Sequence, residues 1–73
     1  MSEFEKIAPQ VLGKRISEFR RASGQTQEET AKHLEMSRTT YIAIEKGTRR
    51  ATQGEVVKLA AFFGRSVHEL VRP

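Results

Sequence analysis

Apolar residues recur along the chain at spacings of three and four, with no sustained alternation, and this pattern predicts an all-α domain of short helices. Leu12, Ile16 and Phe19 form one stripe that stops at Gly24, where glycine suits the left-handed end of a helix, so a first helix is expected from about Gln10 to Ser23. Thr26 and Glu29 have the spacing of a capping box, in which each side chain satisfies the other's free backbone N–H; a second helix follows from Gln27 to about Leu34. After a gap of two or three residues, Ser37 can cap a third helix that carries Tyr41, Ile44 and Glu45 and ends at Gly47. The box recurs as Thr52 with Glu55 and as Ser66 with Glu69. The first of these opens a helix with Val56, Leu59, Ala60 and Phe63 inward, closed by Gly64, and the second opens a short fifth helix bearing Val67 and Leu70. Residues 1–9 are the least regular and read as an N-terminal tail, with Phe4 and Ile7 able to fold back; residues 10–73 read as one domain.

Length and charge narrow the function. With 73 residues there is room for a single core, and with no Cys there is neither a disulfide nor a thiolate metal site to support it. Nothing in the sequence is long and apolar enough for a membrane span, and residues 1–6 lack the layout of an export signal, so no membrane partner and a cytoplasmic, nucleoid-associated location are expected. Thirteen Lys and Arg against nine Glu, with no Asp, give a net charge of +4, which points toward polyanions. His33 and His68 stand far apart without Cys or Asp company, so no metal is expected, and catalytic Ser-His-Asp chemistry lacks its Asp. No Gly-rich phosphate loop is present, so neither an enzyme nor a cofactor is expected.

The stretch Thr26-Gln27-Glu28-Glu29-Thr30-Ala31, then Met36-Ser37-Arg38-Thr39-Thr40-Tyr41, then Ile44-Glu45-Lys46-Gly47 resembles the lambda-repressor-like helix-turn-helix domain of the XRE (Cro/cI-type) family. The resemblance covers roughly residues 10–72 and implies a five-helix, all-α lambda-repressor-like fold that binds DNA. Gln25 and Thr30 stand where the family usually has large apolar residues, and Glu35 replaces its usual turn glycine. The resemblance also implies a partly buried ion pair between Arg20 and Glu45, each about 60° off its helix's inner stripe and so able to meet at the seam of helices 1 and 3. The stretches Arg38–Gly47 and Phe63–Leu70 are further similar to repressors of mobile elements that carry a C-terminal zinc metallopeptidase domain. A C-terminal domain or a partner protein beyond this chain is therefore also expected.

If Tyr41 and Ile44 face the core, the 100° step per residue places Thr39, Ile42, Ala43 and Lys46 on the outer side of helix 3. That face is small and modestly charged, as a helix entering a major groove must be. Arg38, Thr39, Ile42 and Ala43 are the expected base contacts, with Arg38 long enough to reach guanine O6 and N7. Gln27 at the start of helix 2 and Thr40 are expected on phosphates on one side of the groove, and Lys46, Thr48, Arg49 and Arg50 on the other. Phe62 and Val71 are the apolar residues of helices 4 and 5 least needed by one core, and so are expected at a homodimer interface. The function these features imply is a sequence-specific repressor that binds double-stranded DNA as a dimer on a pseudo-palindromic operator. The competing reading is a protein-interaction module of the same fold, such as an antitoxin whose main contact is a toxin.

Overall fold

A computed structural model describes residues 6–73 as five helices, α1 Pro9–Ala22, α2 Gln27–His33, α3 Arg38–Lys46, α4 Gln53–Phe63 and α5 Val67–Val71. All five fall where the hydrophobic spacing predicts them. Their starts are sharp because each cap is chemical. Thr26, Thr52 and Ser66 each accept the N–H of the residue three positions on, and Glu29, Glu55 and Glu69 return the bond, while Ser37 accepts the N–H of Thr40. α1 instead opens with Pro9, whose missing N–H costs nothing in a first turn. α3 and α4 end on Gly47 and Gly64 in the left-handed conformation. None of the described helices is long and apolar enough to cross a membrane.

One core runs through the domain. Ile16, Tyr41, Ile44, Val56, Leu59 and Leu70 are at most 1 % exposed, and Ile7, Leu12, Ala31, Leu34, Ala51, Ala60 and Val71 complete the cluster. Ile7 thus packs inside it, upstream of the expected domain start at residue 10, whereas Phe4 lies outside the described residues. Thr30 is fully buried where an apolar residue is usual, and its hydroxyl is satisfied by donating to the Thr26 carbonyl at 2.9 Å. Phe63 is only half-buried: it packs on the rim of the core against Phe19 and Phe62, with ring centroids 6.1 and 5.0 Å away.

Val71 requires a correction. It is 2 % exposed and belongs to the core, so the expectation that it is spare for a partner fails. The reason is that α5 packs on α1 as well as α4. Arg15 fastens that end by donating from one nitrogen to the carbonyls of Leu70 at 2.9 Å and Arg72 at 2.6 Å.

Two backbone features set how α3 sits. Gly13 lies where α1 crosses α3: a methyl group there would lie 2.5 Å from the Ile44 carbonyl oxygen and closer still to that of Glu45. Only a residue without a Cβ permits this approach. In the turn between α2 and α3, Glu35 adopts φ 55°, the left-handed region usually held by glycine.

Candidate nucleic-acid interface

The surface begins with α3. Its first turn is pinned by the Ser37 cap, in which the Ser37 hydroxyl also donates to Thr40 Oγ1 at 2.8 Å, and its inner side is held by buried Tyr41 and Ile44. Geometry then forces the remaining positions outward. Arg38, Thr39 and Lys46 are exposed, and Ile42 and Ala43 are half-buried beside them. The structure thus brings Arg38, Thr39, Ile42, Ala43 and Lys46 onto one side of one helix. That side has a cation at each end and no carboxylate among its five residues.

Behind α3 lies a polar cluster that fixes its angle to α1 and α2. Arg20 Nε donates to Glu45 Oε2 at 2.7 Å and its terminal nitrogen donates to Oε1 at 3.3 Å; the side chains are 12 % and 5 % exposed. A further Arg20 nitrogen donates to the Gln25 carbonyl at 2.9 Å, closing the loop before α2. Burial alone would raise the Glu45 pKa, but the hydrogen bonds from Arg20 and Gln27 and the Arg20 charge outweigh it and hold the carboxyl below its usual range. The same carboxylate holds Arg20 protonated to higher pH than usual. Burial pushes the Tyr41 phenol well up, and Glu45 adds to the effect. The Tyr41 hydroxyl sits against this carboxylate without reaching ordinary hydrogen-bond geometry.

The expected phosphate contacts divide. Lys46 and Thr48 are exposed, although Thr48 Oγ1 lies 3.3 Å from the Ala43 carbonyl. Thr40 is half-buried and engaged with the Ser37 cap. Gln27 turns its side chain inward, Nε2 donating to Glu45 Oε1 at 3.1 Å, so its amide braces the ion pair rather than standing free toward solvent. The two loop arginines are occupied as well. Arg49 donates to both Glu55 oxygens, at 2.8 and 3.2 Å, and Arg50 donates to the Ile7 carbonyl at 3.0 Å. Hydrogen bonding by Arg49 lowers the Glu55 pKa and reciprocally raises that of Arg49.

Sequence reasoning missed Glu55 as a partner of this surface. Its place in the Thr-x-x-Glu box accounted for the residue, and a six-residue separation that spans a loop has no helical signature. Gly13 was missed too, because close helix crossings leave no local mark. Phe62, expected at a dimer interface, is half-buried and packs its ring 5.5 Å from that of His33. Beside it a shallow groove of about 260 Å³ is lined by His33, Leu34, Lys58, Ala61 and Phe62 among others.

Comparison with known proteins follows the same outline. A family model described as helix-turn-helix matches residues 16–70. The chain is 36% identical over 61 residues to the cryptic phage CTXphi transcriptional repressor RstR of Vibrio cholerae, covering 84% of this chain and 55% of that protein. It is 38% identical over 56 residues to an uncharacterized HTH-type transcriptional regulator of Methanocaldococcus jannaschii, covering 77% of this chain and 85% of the other. The chain thus spans about half the length of the Vibrio repressor. No solved structure matches it significantly.

Proposed function

Because the chain belongs to the helix-turn-helix family, we propose that it is a transcriptional regulator that binds double-stranded DNA sequence-specifically by laying α3 in the major groove. The observation that carries this reading is the outer side of α3, where Arg38 and Lys46 flank three small or apolar residues without a carboxylate. An α-helix with its side chains is about 10–12 Å across and the groove about 12 Å wide, so small residues fit and acidic ones would meet phosphate repulsion. Arg38, in the first turn, has the reach and fork geometry for guanine O6 and N7. Lys46, Thr48, Arg49 and Arg50 follow α3 onto the flanking phosphates, and the backbone N–H of Gln27 and the hydroxyl of Thr40 approach the opposite strand.

Repression is the direction of control this reading takes from the likeness to a phage repressor. A dimer is part of it: two copies of α3 must stand about 34 Å apart on one side of the duplex, which leaves α4 as the meeting surface. There half-buried Phe62 lies beside exposed Ala61, one turn from Val57, which is 52 % exposed. Phe62→Glu is then expected to abolish cooperative filling of paired half-sites while leaving affinity for one half-site nearly unchanged.

The deciding experiment titrates the domain against random duplex DNA over a range of salt. Log affinity should fall linearly with log salt, by about 0.9 for each phosphate neutralised. Absence of binding at low salt would overturn the proposal in favour of the protein-interaction reading.

A further inference from the structure

Between its two terminal cations, the outer side of α3 offers a groove very little to hydrogen-bond with. Thr39, Ile42 and Ala43 stand at positions i, i+3 and i+4, which a helix brings together on one face. Thr39 is exposed and the other two are half-buried, while Tyr41 and Ile44 turn fully inward. Of these three residues Thr39 alone carries a hydroxyl, so it is the one polar group this patch can turn to a base. What the patch presents in quantity is methyl groups.

Each base pair shows the major groove a set of donors and acceptors, and only thymine adds an apolar feature, its C5-methyl. A cytosine amino group or guanine carbonyl pressed against Ile42 or Ala43 would lose water without gaining a partner, which is unfavourable. A thymine methyl in the same place gains from losing water. Resting on the DNA-binding reading above, we propose that Thr39, Ile42 and Ala43 form a thymine-methyl reader. The centre of each half-site is selected by C5-methyl contacts, with Arg38 supplying the polar contact at its edge. A 5-methylcytosine carries the same methyl at the same height in the groove, so at these positions it should be tolerated better than cytosine.

The test starts from a duplex selected by the protein from a random pool. Each thymine of one half-site is replaced in turn by uracil, which lacks only the methyl and keeps every hydrogen-bonding group. At two or three positions, affinity should fall about three- to fourfold, the equivalent of about 0.8 kcal/mol for one buried carbon at 1.4 kcal/mol per tenfold. Replacing a contacted thymine pair by a cytosine pair should cost more, and methylating that cytosine should recover part of the loss. Thr39→Ser keeps the hydroxyl and removes one methyl, so in this variant one of the uracil effects should vanish, with helix content unchanged by circular dichroism. Salt-dependent binding with no uracil effect at any position, or a selected half-site without thymine, would overturn the methyl reader while leaving DNA binding intact. Failure to bind any duplex, selected or random, at low salt would overturn both.

Discussion

Removing the guanidinium of Arg20 strands a carboxylate. In Arg20→Met the aliphatic stem is largely kept, but Glu45, 5 % exposed, loses both charged hydrogen bonds and the Gln25 carbonyl loses its donor. Breaking a buried pair from one side costs about 3–5 kcal/mol. A domain of this length has on the order of 4–11 kcal/mol in all, at about 0.05–0.15 kcal/mol per residue, so the variant should be barely folded. Urea denaturation followed by circular dichroism measures the loss. Arg20→Met/Glu45→Leu removes the stranded charge and should lie within about 1.5 kcal/mol of the parent, because the desolvation cost disappears with the pair. Acid titration adds a sign. In the parent, Glu45 has a native pKa below its unfolded value of about 4.3, so the unfolded state binds more protons; this contribution is present above that value and lost as pH falls through the native one. In Arg20→Met burial dominates and lifts the native pKa above the unfolded one, so lowering the pH from 7 toward 5 should recover stability. A single variant within about 1 kcal/mol of the parent, or a double variant as unstable as the single, would refute the reasoning.

Four other substitutions separate packing from binding. Gly13→Ala should lower stability by about 1–3 kcal/mol and weaken DNA binding as well, because its Cβ meets the carbonyls of α3 and shifts that helix; thermal denaturation and duplex titration read the two effects. Glu35→Gly should raise stability by about 1 kcal/mol, measured in urea, since a left-handed φ of 55° ceases to be strained. Arg49→Ala should flatten the slope of log affinity against log salt by less than the 0.9 of a free cation, because Glu55 already neutralises Arg49, whereas Glu55→Gln should steepen it; anisotropy titrations at four salt concentrations distinguish them.

The helices were legible because their ends are written in side chains. Thr26, Thr52 and Ser66, each with a Glu three residues on, mark starts that depend on nothing distant, and Gly47 and Gly64 mark ends. The outer side of α3 was legible for a similar reason: once Tyr41 and Ile44 face inward, helical geometry fixes where Arg38, Thr39, Ile42 and Ala43 point. Features made across the chain were not. Arg15 reaches the carbonyls of Leu70 and Arg72, Arg50 reaches that of Ile7, and neither acceptor has a side-chain signature. Val71 looked dispensable because the spacing of α5 shows one inward face, whereas α1 and α4 both pack on that helix.

The claim on which the account rests is that the outer side of α3 reads bases. Its most direct measurement compares affinity for a selected duplex with affinity for a scrambled one, in the parent domain and in Arg38→Ala. Arg38→Ala should cost about 1–3 kcal/mol on the selected duplex and much less on the scrambled one, and should relax preference at one base pair per half-site. An equal loss on both duplexes would make Arg38 a phosphate contact and contradict the claim.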